Sequence, residues 1–137
     1  MTATTSIPPG ITPGLEATVE KVVPHEWTIA HFRGILPAVL STPAMIGMME
    51  VAAAKAVQDK LPEGAITVGT RIEVDHLKAV PEGASVLAWA RLERIDGRFL
   101  VYEVEARSGP HVVGRGRVSR AIVYPQALMQ KAEARKS

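Results

Sequence analysis

The chain reads as an α+β protein in which a curled antiparallel five-stranded sheet wraps one long central helix, and three observations carry that reading. Residues 41–61, STPAMIGMMEVAAAKAVQDKL, form an apolar helical stretch whose only charges between Ala44 and Val57 are Glu50 and Lys55. Beyond Leu61 the hydrophobic period drops to two, in four successive segments. Short turns rich in Gly and Pro join most of those segments, and hairpin-length connections bring successive strands together antiparallel.

Each element follows in chain order. Residues 1–14, MTATTSIPPGITPG, lack the basic start and apolar run of a signal peptide and read as a loose N-terminal arm. Residues 15–23 alternate as a half-buried first strand, which Pro24 ends. Residues 23–40 follow neither period. His25, Trp27, His31 and Phe32 are scattered there among small residues, with Gly34 and Pro37 as breakers, so the segment reads as an irregular cover of the kind that forms lids. Thr42 is placed to cap the long helix, with Pro43 at the first helical position. A helix apolar on nearly every face, yet without an 18-residue uncharged run, belongs inside a protein rather than across a membrane. Pro62, Glu63 and Gly64 end it, and residues 65–77 form the next strand, interrupted by Gly69. Residues 85–95 and 98–107 pair through an Asp96-Gly97 hairpin turn, and residues 111–124 make a long last strand. Residues 125–137 read as a short, charged, solvated helix. One long helix inside a curled five-stranded sheet whose last strands form an antiparallel meander is the hotdog architecture, and its open sheet edges imply pairing of two subunits.

Composition narrows the function. At 137 residues the chain makes one domain. The absence of cysteine excludes a disulfide, a thiolate metal site and a cysteine nucleophile. A net charge of +2 and 4% aromatic residues, with no basic run interleaved with aromatics, argue against nucleic acid. Cytoplasmic residence is the default expectation.

Three residues stand out as candidate catalysts. Glu50 is a lone carboxylate among Met48, Met49, Val51 and Ala52, where ionisation costs several kcal/mol unless it is paired. It is the partner of a buried base, a carboxylate that reaches solvent through a gap in the sheet, or a group set up for base or nucleophile chemistry. Thr42 lies eight residues earlier, roughly 80° round the helix, so both can face one pocket. His76, in Val74-Asp75-His76-Leu77, either satisfies the core or completes an acid/base set with Glu50 and Thr42. A metal is not expected, because adjacent strand residues point to opposite faces and His25, His31 and His111 have no ligand spacing. Arg115 and Arg117 share a strand face, and with Lys78 or Arg120 they are placed either to meet phosphates or to stand in solvent.

Thr42, the Met45 to Glu50 helix segment, Val68-Gly69-Thr70, the stretch with His76, the Asp96-Gly97-Arg98 turn and the strand from Gly114 together resemble the fluoroacetyl-CoA thioesterase family of hotdog proteins, in order and spacing from about residue 15 to residue 124. The resemblance implies that Thr42, Glu50 and His76 are the catalytic set, that Gly69 lets the thioester approach, and that a dimer binds acyl-CoA near its interface. Phe32, Arg117 and Arg120 complete the expected substrate-binding residues. The lid reads His31-Phe32-Arg33-Gly34-Ile35-Leu36, with a single Phe, so hydrolysis of a small acyl-CoA, without a further cofactor, is the reading in place of fluoroacetyl selectivity. A non-catalytic acyl-CoA-binding domain is the alternative, and a hydratase on the same fold a third.

Overall fold

The computed structural model describes residues 6–136. Strand β1 spans Glu16–Val22, helix α1 Thr42–Gln58, β2 Ile66–His76, β3 Ser85–Asp96, β4 Phe99–Ser108, β5 His111–Val123 and helix α2 Pro125–Glu133. The five strands make one antiparallel sheet in the order β1-β3-β4-β5-β2. The hairpins β3-β4 and β4-β5 are the expected meander. β2 is not part of it, because residues 77–84 carry the chain from β2, beside β5, to β3 in the interior of the sheet.

The sheet curls over α1 and buries Met45, Met48, Met49, Ala52, Ala53, Ala56 and Val57 against inward residues such as Val86, Ala88, Tyr102 and Val118. Coverage is one-sided. Pro43, Gly47 and Val51, spaced four residues apart, stay exposed along the helix, so the expected full wrapping is corrected: five strands close over only part of an apolar cylinder. The helix cap also differs from expectation. Ser41, in extended conformation, accepts the Ala44 N–H at 3.2 Å, which puts Thr42 at the first helical position and Pro43 at the second. Both places tolerate proline, since neither N–H has an intrahelical acceptor. The Thr42 hydroxyl is thereby free for another partner.

The arm is not loose over its described part. Ile11 is buried in the core, and the Gly14 N–H donates to the Leu92 carbonyl at 2.8 Å. Apolar burial of Ile11 outweighs the chain's local preference for disorder; residues 1–5 lie outside the described residues. The cover between β1 and α1 consists of two single-turn 3-10 helices, His25–Trp27 and Ile29–His31, followed by bridges Thr28↔Leu40 and Val39↔Pro81. Helix α2 has no buried residue. Among the described residues no helix is long and apolar enough to cross a membrane.

Candidate active site

The flank of α1 that faces β2 and β5 carries two polar pairs. In the first, the Glu50 carboxylate meets a buried arginine. Period-two alternation turns Val118, Arg120 and Ile122 of β5 toward the helix, so Arg120 is only 7% exposed. A buried guanidinium needs its donors met. Its Nε donates to Thr67 Oγ1 at 2.9 Å and its Nη2 to the Thr67 carbonyl at 2.7 Å, while Nη1 lies 3.0 Å from Glu50 Oε2. Arg120 was expected either to meet phosphates or to stand in solvent. It is instead the counter-ion of Glu50, fixed from behind by a threonine on the neighbouring strand.

Gly69 completes this cluster. A Cβ on it would stand 2.2 Å from Glu50 Oε2 and 3.6 Å from Arg120 Nη1, so the carboxylate occupies the space that a side chain would fill. The strand register shifts between Gly69 and Arg71, a bulge that leaves Thr70 out of the ladder. Glu50 Oε1 is buried and has no hydrogen-bond partner. The Tyr102 hydroxyl, on β4, is likewise buried and unpartnered; burial pushes its phenol above the ordinary tyrosine range, with Glu50 acting in the same direction and Arg120 opposing it.

The second pair joins Thr42 Oγ1 and His76 Nδ1 at 2.7 Å, with His76 Nε2 buried and unpartnered. A hydroxyl donating to Nδ1 places the ring proton on Nε2, and one accepting from Nδ1–H leaves Nε2 as a base. Glu50 makes no hydrogen bond to either residue: eight helical residues separate the pairs by about 12 Å along the axis. The three expected catalysts thus share one flank as two separate pairs.

Two expected substrate-binding residues lie elsewhere. Arg117 points to the outer face of the sheet, where Nε and Nη2 reach the two Glu93 oxygens at 2.8 and 3.0 Å and hold that carboxyl below its usual range. The reason is parity: three residues from Arg120 on a strand is the opposite face. Phe32 is 67% exposed and borders an apolar groove of about 580 Å³ with Trp27, Pro43, Gly47, Met48 and Val51. This groove contains none of Thr42, Glu50 and His76. Thr67 and Tyr102 were not anticipated. An arginine in phase with Val118 and Ile122 signals an inward charge, but its anchor depends on the β2–β5 register, which no local pattern specifies.

A curled sheet on one helix, flanked by a carboxylate and a threonine–histidine pair, defines a hotdog protein of the thioesterase superfamily. Solved structures agree. A fluoroacetyl-CoA thioesterase superposes with a TM-score of 0.87 at 30% identity, covering 93% of this chain and 99% of that one. A thioesterase superfamily member from Thermus thermophilus superposes with a TM-score of 0.82 at 30% identity, covering 93% and 96%. The fluoroacetyl-CoA thioesterase of Streptantibioticus cattleyicolor is 32% identical over 128 residues, 89% of this chain and 92% of its own. The model of the fluoroacetyl-CoA-specific thioesterase family matches residues 23–126, and the chain belongs to that family.

Proposed function

We propose that this protein hydrolyses a small acyl-CoA thioester to the free acid and coenzyme A. Thioester hydrolysis follows from family membership. The observation that supports its assignment to these residues is the state of Glu50: one oxygen is clamped by Arg120 against the bare Gly69 and the other is buried and unpartnered. In this reading the thioester lies along the helix flank between the two pairs. Glu50 Oε1 takes a proton from water as the hydroxide adds to the thioester carbonyl, or attacks that carbonyl itself and forms an anhydride that water then opens. A backbone N–H at the 69–71 bulge stabilises the oxyanion. His76 delivers a proton to the departing thiolate, and Thr42 fixes its ring. Water and the ester balance the reaction, so no cofactor is required.

The acyl group is small and not restricted to fluoroacetyl. Phe32, Ile35 and Leu36 are exposed and form no closed aromatic cover over Glu50. The same reading includes a homodimer. The outer edge of β2 is unpaired among the described residues, Ile72 on it and Leu77 just past its end are exposed, and the α1 stripe through Gly47 and Val51 is uncovered. Light scattering should then return a mass near twice 14.7 kDa.

Thiol release from acyl-CoA esters, from acetyl to aromatic, tests the assignment on the parent and Glu50→Gln. The variant should lose turnover while keeping its folding transition; retained turnover would sink the role given to Glu50. A single turnover in ¹⁸O-water separates the two routes, since only the anhydride route can leave the label in Glu50.

A further inference from the structure

Thr67 and His76 are an odd number of residues apart on β2, a separation that on a regular strand would put them on opposite faces. The bulge between Gly69 and Arg71 inserts one residue and reverses that parity. Thr67 and Gly69 before it pair with Ile122 and Arg120, and His76 after it with Gly114, all at even positions of β5, the set that is turned toward the helix. Both polar pairs therefore draw on one face of β2, and Thr67 stands at the Glu50 end of it.

Directly across the ladder from Arg120 is Gly69, which has no side chain, and the diagonal neighbour on the same face is Thr67, only 6% exposed. The guanidinium commits one whole edge to that residue, Nε to the hydroxyl at 2.9 Å and Nη2 to the carbonyl at 2.7 Å, which leaves Nη1 for Glu50 Oε2 at 3.0 Å. A guanidinium held by one bond pivots about it, whereas one held by two along an edge has its plane and its direction fixed. The carbonyl is main chain and is present whatever the side chain, so the second bond is what this residue type supplies. Threonine is stiff at χ1, and its hydroxyl is aimed before Arg120 meets it. We propose that Thr67 is a positioning residue for hydrolysis: its hydroxyl sets Arg120, which in turn sets the Glu50 carboxylate against Gly69, a step that rests on the thioesterase reading above.

Thr67→Val keeps the shape of the side chain and removes the acceptor, and Thr67→Ser keeps the acceptor. Two quantities are measured on the parent and both variants: steady-state thiol release with the ester that the parent turns over fastest, and solvent exchange of the Arg120 Nε–H by ¹H–¹⁵N NMR. The valine variant should lose about tenfold in kcat with KM changed by less than about twofold, and its Nε–H should exchange at least about tenfold faster. Serine should bring both quantities to within about threefold of the parent. If the valine variant does not fold, Thr67→Cys replaces it, since sulfur is a weak acceptor. An unchanged kcat without the hydroxyl, or an equal fall with serine, would overturn the proposal. So would a fall in kcat with the Nε–H as protected as in the parent, because Thr67 would then act other than through Arg120. Exchange is read without substrate, so the two readings fail separately. Protection that depends on Thr67 in a parent that hydrolyses no ester refutes the thioesterase reading and leaves the anchoring of Arg120 intact, whereas turnover indifferent to residue 67 refutes the positioning role alone.

Discussion

Replacing Gly69 by alanine inserts one methyl group where the Glu50 carboxylate now lies. The new Cβ would stand 2.2 Å from Oε2 and 3.3 Å from Cδ, whereas ordinary contact begins at 3.4 Å, so Oε2 must retreat by about 1.2 Å. It is held by Arg120 Nη1 at 3.0 Å, and Arg120 is itself fixed to Thr67 through two hydrogen bonds. The carboxylate therefore moves off its counter-ion rather than carrying it along. Alanine in a strand is easier to order than glycine by about 0.5–1 kcal/mol, and the weakened, partly buried ion pair loses a comparable amount, so net stability should change by no more than about 1–2 kcal/mol. Activity should respond far more, because a misplacement near 1 Å of a reacting group can cost about 100-fold. Steady-state thiol release with acetyl-CoA, beside a thermal melt of the same sample, measures both. A variant with kcat within twofold of the parent would show that the placement of Glu50 against Gly69 has no part in turnover.

Two further outcomes follow from the same contacts. Tyr102→Phe removes a buried hydroxyl without a partner, so stability at neutral pH should hold or rise by up to about 1 kcal/mol. Because the folded state keeps this phenol neutral above its ordinary value near 10, the parent should hold its stability below about pH 10 and lose it as pH rises further; melts across that range should show a shallower decline in the variant, and identical slopes would refute the account. Gly116→Ala puts a Cβ 2.0 Å from the Glu73 carbonyl oxygen and 2.7 Å from the Val74 Cα, both backbone of the paired strand. Neither can yield without breaking the β2–β5 ladder, so denaturant unfolding should report a loss of about 2 kcal/mol or more, and an unchanged midpoint would contradict the packing.

The elements were legible in the sequence because their signals are local. Pro24, the Pro62–Gly64 turn and Asp96-Gly97 mark ends that the structure reproduces to within a few residues. What escaped depends on contacts distant in sequence. The expected cap was Thr42, just before Pro43; a histidine 34 residues beyond Thr42 engages its hydroxyl, and Ser41 takes the cap. Nothing local to β2 says that it lies beside β5, and without that register the Thr67–Arg120–Glu50 chain is invisible. The parity of β5 was readable, and it separates Arg120 from Arg117, yet grouping the arginines by charge obscured it.

Both polar pairs are built the same way, and that common feature bears on what the flank is for. Glu50 has Oε2 anchored to Arg120 and Oε1 unmet; His76 has Nδ1 anchored to Thr42 and Nε2 unmet. A buried polar atom without a partner costs about 1–3 kcal/mol, a sum that an apolar replacement would recover. Packing alone gives no reason to keep such atoms, least of all where the helix offers methionine and alanine at neighbouring positions. Anchoring one atom of each group fixes the direction of the other without satisfying it, which is the condition for a side chain to act on a bound molecule instead of on the fold. Tyr102 is the useful contrast. Its hydroxyl is also unmet, but no second polar atom of the side chain is anchored to aim it, so its removal should be tolerated where that of Glu50 should not.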